Sequence, residues 1–183
     1  MNTSHDVEDL QQAHEAGRPV RAHGPYRVLL GNELLNYRAG VIADPVPTGR
    51  QILEAAGVQP VLEHSVFQVL RNGQLESLRL DETTDLRSRG VEKFITFHSD
   101  RSFRFELDGS VFEWGAGRIQ GRVLKTLANV DQATYGVWQE VPGQDDRAIG
   151  DDQFADLAPA GVEQFFTGIV KTTEGSASWP SCR

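Results

Sequence analysis

The sequence predicts an α+β protein made of two tandem copies of one small module. Two observations carry that prediction: a collinear internal repeat, and the same strand, turn and helix signals at matching places in both copies. The chain has 183 residues. Tyr26-Arg27-Val28-Leu29-Leu30 matches Phe103-Arg104-Phe105-Glu106-Leu107 at an offset of 77, and Tyr37 is matched to Trp114 at the same offset. Gly49-Arg50 matches Gly121-Arg122, and Ala56-Gly57-Val58 matches Ala128-Asn129-Val130, both at 72. Val66-Phe67-Gln68 and Val137-Trp138-Gln139, Asp85-Leu86 and Asp156-Leu157, and Gly90-Val91-Glu92-Lys93-Phe94 and Gly161-Val162-Glu163-Gln164-Phe165 follow at 71. The drop of five places an insertion in the first copy around Val41 to Pro47. The expected division is a disordered tail over 1–24, a first domain over 25–100, a second over 101–170, and a flexible C-terminal tail over 171–183.

Each element of the module has a local cause. Met1 to Gly24 is polar and acidic with no apolar run, so it reads as neither strand nor signal peptide. In the second copy Phe103, Phe105 and Leu107 alternate with Arg104, Glu106 and Asp108, the period of a half-buried strand. Asp108-Gly109 tolerates positive φ and makes a hairpin turn into Val111–Trp114, and Gly31-Asn32 fills that slot in the first copy. A helix follows. Thr48 and Gln51 have capping-box spacing, while Ile52, Ala55 and Ala56, and Val123, Leu124, Leu127 and Ala128, fall on one face. Gly57 and Asn129 end the two helices as left-handed caps. Third strands are expected at Val66–Leu70 and Val137–Val141, short fourth strands around Leu78 and Ile149, and last strands at Val91–Phe97 and Val162–Thr167. The loop before each last strand carries an anchoring leucine, Leu86 or Leu157. Two hairpins wrapped on one helix is the β-grasp arrangement.

Each copy resembles the bacterial multi-ubiquitin domain, a ubiquitin-like module found in one or more tandem copies. The second copy carries the resemblance in Phe103–Gly109, Phe112-Glu113-Trp114, Tyr135-Gly136-Val137-Trp138, Asp156-Leu157 and Gly161–Gly168; Gly90-Val91-Glu92-Lys93-Phe94 is the clearest signature of the first. The resemblance implies two ubiquitin-like domains acting as a protein modifier. It also implies partners: a ubiquitin-activating-like enzyme, a ubiquitin-conjugating-like enzyme, a deubiquitinase-like metallopeptidase and target proteins. Some operons of this kind are linked to anti-phage defence.

Conjugation of such a modifier uses a flexible tail ending in a glycine carboxylate, because glycine threads a narrow channel with backbone angles barred to other residues. The tail here offers Glu174-Gly175. Gly175 lies eight residues past Thr167, a reach of about 25 Å when extended. Residues 176–183 then form a removable extension, cut away after Gly175. Ubiquitin ends in Gly-Gly, and this chain departs from that ending at Glu174. The first copy has no glycine at its end, where Phe97-His98-Ser99-Asp100 runs into the next domain, so one conjugation point is expected for the fused pair.

Partner docking is expected on the outer sheet face of the second copy, at Trp138, Phe166, Thr167 and Ile169. Adjacent Phe165 and Phe166 cannot both point inward, and an outward aromatic is a docking surface. Other features point away from chemistry within the chain. The single cysteine, Cys182, excludes an internal disulfide framework and a cysteine-cluster zinc site. The five histidines lack ligand spacing, and the acidic stretch Asp145–Asp156 lacks the order of a calcium loop. No phosphate-binding loop or nucleophile elbow occurs, so neither catalysis nor a cofactor is expected. The net charge of −8 with scattered basic residues argues against nucleic acid. The absence of an 18-residue apolar run argues against a membrane span, and a cytoplasmic location is expected. The alternative function is a non-conjugated β-grasp scaffold that self-assembles as a homo-oligomer through sheet faces or edges.

Overall fold

A computed structural model describes residues 7–88, 91–159 and 161–170. In chain order its elements are β1 (Glu8–Asp9), α1 (Leu10–Glu15), β2 (Tyr26–Gly31), β3 (Tyr37–Ile42), α2 (Gly49–Ala55), a 3-10 turn (Val61–Glu63), β4 (Ser65–Val69), β5 (Leu75–Leu78) and β6 (Lys93–Phe97). The second copy follows with β7 (Phe103–Leu107), β8 (Ser110–Trp114), β9 (Arg118–Gln120), α3 (Gly121–Leu127), β10 (Tyr135–Gln139), β11 (Arg147–Ile149), β12 (Phe154–Asp156) and β13 (Glu163–Ile169). In the first copy β2 pairs β3 on one side and β6 on the other, with β4 and β5 beyond. In the second the order is β8-β7-β13-β10-β11. The central pairs β2–β6 and β7–β13 are parallel and the hairpins antiparallel. Both copies are therefore complete β-grasp modules, and the chain is α+β with two in tandem.

The local signals act as the chemistry requires. Thr48 and Gln51 form the capping box that starts α2, whereas Gln120 before α3 makes no side-chain cap. Gly57 and Asn129 end these helices at φ 67° and 55°. Leu86 and Leu157 are buried, and their amides donate to the Pro45 and Gly117 carbonyls at 2.9 and 2.8 Å. Each helix also begins on a glycine pressed against the chain. The Gly49 and Arg50 amides bond the carbonyls of Glu82 and Leu80; those of Gly121 and Arg122 bond Gln153 and Asp151. A Cβ on Gly49 or Gly121 would lie 3.0 Å from the carbonyl carbon of Arg79 or Gly150, and nearer still to its oxygen. This shared clip explains why the glycine recurs.

Register corrects the expected insertion site. Leu30 stands opposite Phe94 as Leu107 stands opposite Phe165, so β2 and β7 are 77 apart. Arg38 already pairs Leu30 as Ser110 pairs Leu107, so β3 and β8 are 72 apart. The five extra residues thus lie in the first hairpin turn, not at Val41–Pro47, and Ile42 rather than Tyr37 is the counterpart of Trp114. The turn is organised by Asn32, whose side-chain oxygen accepts from the Leu34 and Asn36 amides at 3.0 and 3.1 Å. Leu35 sits there at φ 58° and packs against the buried cluster that both copies share, and Glu33 reaches Arg118 at 3.7 Å. The insertion thus makes contact between the copies.

That contact is apolar. Val66 and Phe94 face the core under α2. Their neighbours Phe67, Ile95 and Phe97, with Leu75, point to the other side and join one buried cluster with Phe105, Trp114, Leu124 and Phe165. Phe97 meets Phe67 edge-on at 5.2 Å and Trp114 edge-on at 4.7 Å, the favoured geometry for aromatic quadrupoles. Gly115 permits the approach: a Cβ there would stand 2.5 Å from Phe97 Cγ and 2.9 Å from Phe67 Cε2. Strands β4 and β6 of the first sheet are buried on both faces.

The described part of the expected disordered tail is folded. Residues 7–24 include β1, which pairs parallel to β2 through Glu8–Tyr26 and Asp9–Arg27. Asp9 caps α1 by accepting from the Gln12 amide, and Leu10 and Ala13 are fully buried in the first core. Glu8 is 2% exposed, paired with Arg18 and with Arg21 Nε at 3.0 Å. His14 Nδ1 meets Glu92 at 3.1 Å. A helix of six residues offers too few turns for its period to show against polar neighbours. The first module therefore reaches back at least to Glu8.

Two outcomes follow. Gly121→Ala places a methyl against the Gly150 carbonyl and lowers stability by roughly 1–3 kcal/mol, read as a fall in melting temperature beside an Ala148→Ser control. Leu10→Ala removes an anchor of the N-terminal segment and costs roughly 2–5 kcal/mol in urea unfolding. An unchanged midpoint would show that the segment contributes nothing.

Candidate functional site: the open sheet face of the second module

The two modules expose equivalent sheet faces to different fates. Register equates Phe67 with Trp138 and Ile95 with Phe166, since Phe67 pairs Ile95 as Trp138 pairs Phe166. In the first module these positions lie under the second module. In the second, Trp138 and Phe166 are only partly buried, and they stack on each other at 5.7 Å with an interplanar angle of 13°. Gly136 and Gly168 flank them in register, directly opposite one another. A Cβ on Gly136 would come 2.7 Å from the Trp138 ring, and one on Gly168 3.1 Å. The indole lies over bare backbone, which flattens the face. Ala148, opposite Trp138 on β11, is exposed.

The other two expected docking residues sit differently. Thr167 projects from the opposite side of β13, where its amide and hydroxyl donate to the Asp108 carboxylate at 2.8 and 2.9 Å. It ties the first hairpin turn to the last strand, as Thr96 does by donating to the Gly31 carbonyl at 3.3 Å. Ile169 is 69% exposed and ends β13 opposite Tyr135. The sequence named Trp138 and Phe166 without pairing them, the structure stacks them, and Thr167 belongs to the framework. Gly136, Gly168 and Ala148 were missed as part of the face. Their signal was the period of two on β10, β11 and β13, which puts small residues beside the aromatics.

The chain leaves this module in a fixed place. The Val170 amide donates to the Thr134 carbonyl at 2.8 Å, just before β10. Thr134 is held in turn by Asp131, whose carboxylate accepts from the Thr134 hydroxyl and from the Thr134 and Ala133 amides. Those bonds hold Asp131 below its ordinary carboxylate pKa. Val170, the last described residue, thus sits beside the aromatic face, where it and the Trp138 ring would both meet a Cβ on Gly136. Glu174 and Gly175, the expected conjugation and processing residues, lie outside the described residues, as does the extension 176–183. Among the described residues no cluster of three His, Cys, Asp or Glu is arranged to hold a metal ion. No helix there is long and apolar enough to cross a membrane.

The family comparison agrees with the repeat seen in the backbone. A family model described as Multiubiquitin matches residues 33–99 and again 103–168. No curated protein matches the chain. The first match opens inside the longer hairpin turn, past β2, although β2 is the central strand of that module. With two consecutive matches over most of its length, the chain belongs to the multiubiquitin family.

Proposed function

We propose that the chain is a ubiquitin-like protein modifier, matured by cleavage after Gly175 and joined to targets through that glycine. The observation that carries the reading is the end of the second module: β13 finishes exposed at Ile169, and Gly175 follows six residues later. A strand end of this kind presents a tail to an enzyme channel without unfolding the module. Adenylation of the glycine carboxylate, its transfer to an enzyme thiol and its capture by a target amine or hydroxyl are then the work of partners. These are an activating-like enzyme, a conjugating-like enzyme and, for maturation and removal, a deubiquitinase-like metallopeptidase. A cytoplasmic setting in anti-phage defence fits the family reading.

The fused pair supplies one conjugation point. The end of the first module is not available as a tail, because Phe97 is buried between Phe67 and Trp114. Release there would tear open the shared core. The first module serves as a rigid base for the second, which alone carries an open face and an open end.

Intact-mass analysis after co-expression with a deubiquitinase-like metallopeptidase tests the reading. The expected product ends at Gly175, lacks residues 176–183, and becomes a covalent adduct when the activating and conjugating enzymes are added. Gly175→Glu should abolish the adduct without altering the melting temperature. If the wild-type tail stays whole beside an active peptidase, or if Gly175→Glu forms the adduct normally, the proposal fails.

A further inference from the structure

We propose that a cleft where the two modules meet binds an acidic peptide segment of a partner protein, with an apolar side chain on its floor and flanking carboxylates on Arg71 and Lys93. The cleft has a volume of about 400 Å3 and lies between the first sheet and the end of α3. Val69 and Leu75 form its floor, and Leu35 and Leu127 wall it. The second module covers Phe67, Ile95 and Phe97, and the cleft opens past them. Lys93 is on the same side of β6 as Ile95 and Phe97 but is only half-buried. A junction between domains, apolar at its base with a few polar groups around it, is a favoured place for a ligand.

Charge selects the ligand. In a chain of net charge −8, the charged residues among the described lining are Arg71 and Lys93, both cations. Among the described residues neither side chain has a hydrogen-bond or ion-pair partner. Glu33, in the turn that supplies Leu35, reaches Arg118 instead. Tyr37 adds a neutral donor to the lining. Its ring packs over Gly31, where a Cβ would stand 2.7 Å away, and burial pushes its hydroxyl up to about 12, so the proton stays on. The second module is opposite in character at the same places. Register equates Val69, Arg71 and Lys93 with Glu140, Pro142 and Gln164, and Asp146 and Glu163 line the hollow beside them. An acidic segment is therefore drawn to the first module's cleft and repelled from its counterpart. Arg71 is exposed and Lys93 half-buried, which suits a chain lying across the cleft rather than a small anion held inside it. The site uses neither the Trp138–Phe166 face nor the chemistry of Gly175.

Amide chemical shifts of the isotope-labelled full chain read the result, in a titration with a blocked peptide of leucine and phenylalanine between two pairs of aspartates. Saturable binding is expected, with shifts at Gly73, Lys93 and Asn129. Lys93→Gln, which copies Gln164, and Arg71→Gln should each weaken binding about two- to fivefold, and the double variant should weaken it further. Neither side chain has a partner to lose, so the melting temperature holds in all three variants. Arg104→Gln removes an equal charge from an exposed position of the second module and leaves binding unchanged. Peptides with asparagine for aspartate, or with serine for both apolar residues, should bind weakly, and inorganic phosphate or acetate at the same concentration should give no shifts here. The proposal is overturned by an absence of saturation at millimolar peptide, or by shifts confined to another surface. Equal binding of the asparagine peptide, the same shifts from phosphate alone, or a double variant that binds as the wild type does would each overturn it too.

Discussion

The structure depends on burying the strands β4 and β6 of the first module's sheet on both faces. A module of about 70 residues has a core near the lower limit for independent stability. One face of this sheet packs under α2 through Val66 and Phe94, and the other packs against the second module through Phe67, Ile95 and Phe97. The edge-on contacts of Phe97 with Phe67 and Trp114 join two marginal cores into one. Three features exist to make that contact possible. Gly115 lacks the Cβ that would strike Phe97, Leu35 is presented by a turn five residues longer than its counterpart, and Glu33 in that turn reaches Arg118.

This explains how two copies of one fold came to differ. The parts that keep a module standing are shared: the glycine clip at Gly49 and Gly121, the leucine anchors Leu86 and Leu157, and the threonine ties Thr96 and Thr167. The parts that differ are those that meet a neighbour. Phe97 is large because Trp114 receives it, and its counterpart Gly168 is bare because Trp138 lies over it. Divergence is concentrated on the sheet faces, where each module has a different companion.

The local structure was legible in the sequence because it has local causes. Asp108-Gly109, with φ of 50° and 76°, makes its hairpin from two residues, and Thr48 with Gln51 starts its helix from four. Phe165 and Phe166 declare opposite faces by adjacency alone. What stayed hidden depends on distant partners. Nothing near Asn32 says that its turn will reach Arg118, so a sequence match shared the five-residue gap out wrongly and paired Tyr37 with Trp114. Leu10 and Ala13 look like isolated apolar residues until β2 gives them a strand to lie beside and Glu8 finds Arg18 and Arg21. Thr167 looked available for docking because its tie, Asp108, is 59 residues away.

The same geometry bears on why a modifier would carry two modules and one tail. If both faces were open, a partner could engage either module, and only one engagement would bring the tail to its active site. Covering Phe67, Ile95 and Phe97 removes that ambiguity, because the face that survives belongs to the module whose last strand leads to Gly175. Val170 leaves beside Thr134, at the start of the strand that carries Trp138. On the proposed reading, recognition at Trp138 and exit of the chain at Val170 would be linked through β10 and β13. The first module would then engage no partner through its equivalent face, because that face packs against the second module.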